Sequence, residues 1–220
     1  MIQDIKFEKV IYSDKKLVEE LTKNTFEWGD YIKEVFDEWI NDGLFIKAVD
    51  SNGNILGIIH VKICDDFAWL EGIRVNKNFR KKGIGKKLTE KAIELSNKRV
   101  FRLTVNEKNE PSLALVKSMG FKEIDRFYFN SGNRLDFKNI IEMYKLEQKK
   151  NIDFIFNGYV DNWVWYPFNK YKKLFYKNDQ IILLQTNPPF ALKGDNLKFE
   201  HISINKKENS EGFIVFELKI

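Results

Sequence analysis

The sequence has very little cysteine and no long hydrophobic segment, and both scarcities limit what the protein can be. Because Cys64 is the only cysteine, no internal disulfide can form, which favours a reducing, cytoplasmic setting. Cys64 ends an apolar run, so we expect a buried structural role for it rather than a catalytic one. No apolar run approaches the roughly 20 residues that cross a bilayer, and the N-terminus, MIQDIKFEKV, lacks the apolar core of a signal peptide. No membrane partner is therefore predicted.

The stretch 67–95, FAWLEGIRVNKNFRKKGIGKKLTEKAIEL, lacks two familiar phosphate-binding motifs. It has neither the third glycine and following acidic residue of a dinucleotide-binding turn nor the Lys-Ser/Thr ending of a Walker loop. It does have a strand pattern over 68–75, then Arg80, Gly83 and Gly85 in the spacing R-x-x-G-x-G, then a helical pattern. A tight turn is the simpler reading. Glycines before a helix also let backbone amides and the positive helix end approach an anion, most plainly a pyrophosphate.

Basic residues crowd the same stretch. From Arg74 to Arg102, only Glu90 and Glu94 oppose a long series of lysines and arginines. The whole chain carries a formal net charge of +5, with a pI of about 9.0. A solvated basic face or a nucleic-acid partner would also produce this pattern. Nucleic acid is disfavoured, because the basic residues cluster where a phosphorylated ligand is already predicted.

These residues resemble the acetyl-CoA-binding core of the GNAT superfamily of N-acetyltransferases. In that family a valine lies five residues before the Arg of R-x-x-G-x-G, as Val75 does before Arg80. The family also often has an Asn followed eleven residues later by Gly-Phe, as in NEPSLALVKSMGF from Asn109 to Phe121. The resemblance covers about residues 1–147, and it does not extend to the C-terminal part.

The rest of the pattern predicts an α/β (α+β) fold. Strands are predicted at 2–11, 44–49, 55–64, 68–75, 100–105, 121–129 and 139–146, and helices at 14–23, 28–40, after Gly85, and at 109–119. This order matches the GNAT layout, which implies a mixed, mostly antiparallel sheet flanked by helices. A composition change at 148–151 predicts two domains, 1–147 and 150–220.

The second domain is predicted to be a small, aromatic-rich α+β module of unknown role. Its strands are expected at 152–165, 181–185, 197–204 and 213–218, with a short helical pattern between Phe168 and Phe175. The aromatic segment GYVDNWVWYPF is expected to form the core of this module. As an alternative, Trp163, Trp165 or Tyr166 walls an acceptor site or a dimer contact, and a homodimer stays open.

The resemblance implies that acetyl-CoA or CoA is the cofactor. The cofactor-binding residues that we expect are Ile73, Arg74, Val75, Arg80, Lys81, Lys82, Gly83, Ile84, Gly85, Lys86, Asn106 and Asn109. Amides at the start of the helix would hold the pyrophosphate. The backbones of Ile73 and Val75 would pair with the pantetheine arm as an added strand does. No metal site is predicted.

The sequence indicates the general acid and the general base less directly than it indicates the cofactor-binding residues. Glu71, on the strand before the loop, is the predicted general base, and its alternative is a surface glutamate paired with a lysine. His60 lies in an apolar run and reads as a satisfied core histidine. Many GNAT enzymes have a tyrosine where this chain has Val116, which cannot donate a proton. Tyr128 is therefore the predicted acid, with Tyr144 as a second candidate.

Two functions from different classes remain. The first is an N-acetyltransferase acting on a primary amine of a small molecule or peptide. Acidic residues on the first two predicted helices hint at a cationic acceptor. The second is a catalytically weak or inactive CoA-binding module that serves as a sensor or binds a partner, which the missing tyrosine favours.

Overall fold

The structure is a computed structural model that describes residues 5–23, 25, 29–152, 155–170 and 173–220. Its contacts group into two compact units. The first contains residues 1–102, 117–120 and 217–220, and the second contains 103–116 and 121–216. The boundary that the sequence predicts at 148–151 concerns separate domains, and it stays a prediction.

The first unit is a sheet with helices packed on it. Its helices are α1 (Lys15–Thr22), α2 (Ile32–Trp39) and α3 (Ile84–Ser96), and its strands are β1 (Lys6–Lys9), β2 (Leu44–Val49), β3 (Ile55–Ile63), β4 (Ala68–Val75) and the start of β5 (Val100–Asn106). The strand order is β1-β2-β3-β4-β5. Neighbours are antiparallel except β4 and β5, which pair in parallel through Ala68 and Trp69 of β4.

Helices cover both faces of this sheet because its strands alternate. Ile58 of β3 belongs to a buried cluster with Val18 of α1 and Phe36 of α2. The next residue back, Gly57, points to the other face, where the Leu88 side chain of α3 lies within van der Waals reach. Residues Ile84, Leu88 and Ala92 of α3 recur four apart and are buried. The mixed, mostly antiparallel sheet flanked by helices is thus confirmed.

The second unit is built mainly from strands. It contains α4 (Glu110–Ser118), α5 (Phe137–Tyr144), and the strands β6 (Lys122–Asn130), β7 (Glu147–Lys149), β8 (Gly158–Asp161), β9 (Val164–Pro167), β10 (Phe175–Lys177), β11 (Ile182–Leu184), β12 (Phe190–Lys193), β13 (His201–Ser203) and most of β14 (Glu211–Lys219). The order is β14-β6-β13-β12-β11-β10-β7, with β8 and β9 as a separate hairpin.

Three predictions in this unit are wrong. The segment 139–146, predicted as a strand, lies mostly in α5. The Asp136 carboxylate accepts a hydrogen bond from the Asn139 amide (3.0 Å) and so caps the helix. Phe137, Ile140 and Ile141 then pack into one cluster at helical spacing. The short helix expected between Phe168 and Phe175 is also not found in its described part, since 168–170 form a turn and Phe175 begins β10.

The single strand predicted at 152–165 is also wrong, because its described part contains β8, a turn at Asn162 and Trp163, and the start of β9. The other predicted elements lie close to observed ones. Strands β2 and β4 have the predicted bounds, and Asn52-Gly53 lies in the turn between β2 and β3. Trp28, the predicted start of the second helix, lies outside the described residues. No helix in the described ranges has the length and apolarity that a membrane crossing needs.

Candidate active site

The loop between β4 and α3 is held in place by its own polar groups. The Asn76 amide donates to the Leu56 carbonyl (2.9 Å), and the Asn76 side chain accepts from the Asn78 amide (3.1 Å). The Arg80 guanidinium turns back and donates to the Val75 carbonyl (3.1 Å). Arg80 therefore closes the loop onto the end of the strand, which orients the residues that follow.

Gly83 is the residue before α3, and its backbone conformation is the left-handed one that glycine favours (φ +81°). A Cβ built there would meet nothing within 4 Å, so close packing does not require a glycine at this position. Backbone geometry does, and the space above it is open. The first amides of the helix, at Ile84, Gly85 and Lys86, have no preceding turn to bond to. They point with the positive helix end toward any ligand beyond Gly83.

Positive side chains surround this helix start. Arg80, Lys81, Lys82, Lys86 and Lys87 are all exposed. The Lys82 ammonium donates to the Asn78 carbonyl (3.0 Å) and lies 5.1 Å from the Phe79 ring centroid. The predicted cofactor loop is therefore assembled in one place as an anion site, and a diphosphate fits its charge.

The Arg74 side chain forms an ion pair that the sequence did not reveal. Its guanidinium makes a bidentate ion pair with Asp30, with Nε 2.6 Å from Oδ2 and Nη2 3.1 Å from Oδ1. The Asp30 side chain is only 1 % exposed, and it also accepts from the Ile32 amide at the start of α2. Any contact of Arg74 with a cofactor would thus come from its backbone.

Tyr31 lies against this ion pair. The Arg74 guanidinium sits 5.4 Å from the Tyr31 ring centroid. Desolvation raises the pKa of the Tyr31 hydroxyl above its usual range, and the positive charge of Arg74 opposes that rise. The hydroxyl is therefore protonated at neutral pH.

Glu71, the predicted base, lies directly across the β3–β4 ladder from His60. Its Oε1 is 2.8 Å from His60 Nδ1, and His60 Nε2 is 2.6 Å from the Asp42 carbonyl oxygen. The His60 side chain is fully buried, whereas that of Glu71 is 19 % exposed. The alternative that Glu71 pairs with a surface lysine is wrong. His60 is the buried, fully bonded histidine that its apolar surroundings predict.

Trp39 packs against the His60 ring of this pair, and Gly72 leaves the space that the Trp39 indole occupies. The Trp39 indole stacks on the His60 imidazole, with ring centroids 4.5 Å apart and planes 5° apart. Gly72 has a positive φ (+62°), and a Cβ there would collide with the indole. The β3–β4 register shifts between Ile58 and His60, opposite this glycine. An isolated glycine inside a strand pattern signals such a bulge, and the sequence did contain that signal.

Cys64 is half-buried near the same charged groups. Burial raises the pKa of its thiol to about 11. A thiol that stays protonated at neutral pH is a poor nucleophile, which agrees with the structural role expected for it.

The remaining predicted site residues belong to the second unit. Asn106 accepts from the Lys108 amide (2.9 Å), and Asn109 accepts from the Ser112 amide (3.2 Å) at the start of α4. Tyr128 lies on β6 and is partly exposed. Val116 is buried at 5 % exposure. The structure gives both asparagines a visible turn or capping role, and their contacts with a cofactor stay predictions.

The aromatic segment is mostly structural. The Trp165 indole donates to the Asp125 carboxylate (2.8 Å), and the Tyr166 ring stacks on Tyr159. Trp163 is 39 % exposed and lines a cleft of about 320 Å³ together with Asn162 and Pro188. Of the three candidates, Trp163 is the one that lines this cleft of the second unit.

The fold and the geometry of the glycine loop can be compared with those of known proteins. Residues 15–121 match the model of the acetyltransferase (GNAT) family. The match covers just under half of the chain, and for this part it confirms the resemblance that the motifs predict.

Solved structures extend the likeness to the whole chain. A crystal structure from Thermoplasma acidophilum, assigned to the acetyltransferases, shares 15 % identity with a TM-score of 0.68, covering 98 % of this chain and all of that one. The Escherichia coli ribosomal-protein-S18-alanine N-acetyltransferase shares 16 % identity with a TM-score of 0.53, covering 99 % and 94 %. Arabidopsis thaliana NAA60, solved with acetyl-CoA, shares 22 % identity with a TM-score of 0.50, covering 57 % and 90 %. At these identities the likeness establishes the fold.

Proposed function

We propose that this protein is an acetyl-CoA-dependent N-acetyltransferase that acts on a primary amine of a small molecule or peptide. The family match supports acetyl transfer in general terms. The observation that carries the proposal is the start of α3, where a left-handed glycine with open space above it precedes unpaired helix amides amid basic side chains. That arrangement suits the diphosphate of a coenzyme A molecule.

In this proposal each part of the first unit has one task. Amides of residues 84–86 bind the pyrophosphate, and Lys81 and Lys82 add positive charge. The C-terminal half of β4 extends beyond its ladder with β5, which pairs at Ala68 and Trp69. The backbones of Ile73 and Val75 would pair there with the extended pantetheine arm. Acetyl-CoA bound to NAA60, a protein of the same fold, is consistent with this cofactor.

Glu71 is the proposed general base. An ammonium acceptor must lose a proton before its nitrogen can attack the thioester, and a partly exposed carboxylate can take that proton directly or through water. The Glu71 side chain meets this need because its Oε1 is held from behind by His60 while part of the carboxyl group remains accessible. Tyr128 is proposed to return a proton to the leaving thiolate, in place of the tyrosine that many family members have where this chain has Val116.

The charge of the acceptor is less constrained than the sequence suggested. Three acidic residues of the first helical region are already paired with basic ones: Asp30 with Arg74, Asp37 with Lys15 and Asp42 with Lys62. Their charge is largely compensated within the protein. We therefore propose the acceptor only as a primary amine, with a cationic substrate as one member of that class.

A CoA-binding module without turnover is the second candidate. It is favoured by Val116, which is buried where many relatives would have a proton-donating tyrosine. Release of free thiol from acetyl-CoA, measured over a panel of amines, separates the two functions. Cofactor binding with no thiol release for any amine would support the module.

The cofactor site is tested by isothermal titration of CoA into Gly83→Asp. We expect affinity to fall by about 100-fold or more, because the new carboxylate repels the diphosphate at the helix start. Gly53→Asp is the matched control, since Gly53 has nearly the same φ (+80°) and the same open surroundings in the β2–β3 turn. Backbone strain is then equal in both variants, so equal loss of affinity in both would contradict the proposed site.

A further inference from the structure

The buried His60 has a hydrogen-bond pattern that fixes how many protons it shares. Its Nε2 faces the Asp42 carbonyl oxygen at 2.6 Å, and a carbonyl can only accept, so Nε2 carries a hydrogen. Its Nδ1 faces the Glu71 Oε1 at 2.8 Å. If Nδ1 carried no hydrogen, its lone pair would face a lone pair of the Glu71 carboxylate, and the two would repel each other. A second proton therefore lies between Nδ1 and Oε1.

The surroundings favour placing this proton on the imidazole. The Trp39 indole stacks face to face on the ring, and an aromatic face stabilises a neighbouring cation. Phe45 meets the same ring edge-on, with centroids 5.9 Å apart. No water-exposed surface remains on His60. Leaving an unpartnered charge there would be costly, but the adjacent carboxylate compensates it.

The charged groups around the pair come from several elements. Lys62 of β3 pairs with the Asp42 carboxylate (3.5 Å) on one side. On β4, Arg74 is committed to Asp30. Tyr31 and the Cys64 thiol lie within electrostatic reach of Glu71, and both have a raised pKa and are therefore neutral at physiological pH. Within the described part of the chain, His60 is thus the group in hydrogen-bond contact with Glu71 that can carry a compensating positive charge.

We propose that His60 is the positioning residue of this enzyme: a doubly protonated imidazole that holds Glu71 as an oriented carboxylate, ready to accept the proton of the amine substrate. The inference rests on the proposed function, because Glu71 is the base. The step balances simply. The substrate ammonium loses one proton to the accessible oxygen of Glu71, the His60–Glu71 pair changes from neutral to singly positive, and the proton then passes to solvent.

The protonation state can be read without any activity measurement. The chain has two histidines, so nitrogen-15 histidine labelling gives two ring systems, and His201 is an internal control. His201 donates from Nδ1 to the Phe199 carbonyl (2.7 Å), and its Nε2 has no hydrogen-bond partner among the residues that the structure describes. At pH 7.5 we expect the His60 ring to show two protonated nitrogens and the His201 ring to show one. Glu71→Gln should convert the first ring to the single-proton pattern. Two single-proton rings in the unmodified protein would overturn the assignment.

Turnover tests the positioning role. His60→Asn can keep a donor toward Glu71, whereas His60→Leu fills similar space without one. We expect kcat to fall about 100-fold in His60→Leu, which is the scale of general-base catalysis, and to be largely retained in His60→Asn, with CoA affinity unchanged in both. Equal losses in the two variants would overturn the role. Absence of turnover in the unmodified protein would refute the proposed function and the role with it, while the nitrogen spectra would still decide the proton count.

Discussion

The buried polar groups of the two units differ in arrangement. In the first unit, Asp30, Arg74, His60 and Glu71 are paired along β4, beside the loop that leads into α3. In the second unit, buried polar groups connect neighbouring elements one at a time, as Asn130 does with Ser203 across β6 and β13. Burying a charged group costs more desolvation free energy than burying a neutral hydrogen-bonding group does. The first unit also holds the nearly buried ion pairs Lys47–Asp14 and Arg102–Glu217. The pairs on β4 differ from these two in lying beside the loop that is proposed to bind the cofactor.

Replacing the proposed base should give the largest effect. Glu71→Gln removes the carboxylate while keeping its size, so we expect kcat to fall by about 100-fold or more, with CoA affinity maintained. Stopped or steady-state thiol release at saturating acetyl-CoA measures the rate, and calorimetry measures the affinity. Retention of more than a third of the rate would remove Glu71 from the mechanism.

Tyr128→Phe extends the same assay to the second unit, because it removes only a hydroxyl. A clear loss of kcat would give that unit a share in the chemistry. An unchanged rate would mean that the thiolate departs without help from Tyr128. The proposed acid–base chemistry would then depend on the first unit alone.

Breaking the buried ion pair should come next, now as a loss of stability. Asp30→Ala leaves the Arg74 guanidinium buried without its carboxylate, which costs about 3–5 kcal/mol in the free energy of unfolding. Urea denaturation followed by circular dichroism gives this value. Arg134→Ala is the control from the second unit, because its pair with Glu200 is formed by an arginine that is 87 % exposed. The control should unfold at the urea concentration of the unmodified protein. Similar urea midpoints for Asp30→Ala and Arg134→Ala would contradict the expected difference between the buried and the exposed ion pair.

The smallest effect is a pH dependence that belongs to the second unit. Burial lowers the pKa of His201 below its usual 6.5, with the Phe199 carbonyl opposing that shift. The unfolded chain therefore binds this proton more readily than the folded one. The stability contributed by neutral His201 is complete above about pH 6.5 and declines as pH falls below that value.

The change in melting temperature from pH 7.5 to 5.5, taken as the difference between the unmodified protein and His201→Asn, isolates this decline from the effects of other titrating groups. His201→Asn, which cannot titrate, should show a smaller drop between the two pH values. The carboxylates with lowered pKa, Asp50, Glu147 and Glu217, act only at more acidic pH, because their unfolded pKa values lie near 3.8, 4.5 and 4.5. An unchanged slope in the variant would assign the acid sensitivity to other groups.

Local signals explain why the first unit was predictable. The hairpin at Asn52-Gly53, the strand 68–75 and the glycine loop each depend on residues close together in sequence. The segment 139–146 was misassigned because its mixed apolar pattern suits a short strand as well as a helix. Asp136, three residues before Asn139, was the capping signal that would have identified α5.

The site could be predicted only in part. The Arg80–Gly85 spacing located the loop, since that motif is contiguous. The partners of Glu71 and Arg74 depend on cross-strand register and on how α2 packs against β4, and neither is encoded in a local pattern. The pairing of His60 with Glu71 therefore required the three-dimensional structure.

Gly72 limits how this protein can be re-engineered. The Trp39 indole occupies the volume that any side chain at position 72 would need, and the same indole supports the His60 ring. A library that varies residue 72 would therefore displace the imidazole along with the indole, and its members would lose alignment of the carboxylate before gaining a new acceptor preference. Mutational tolerance should be sought on the solvent side of Glu71, leaving the glycine and the indole as a fixed unit.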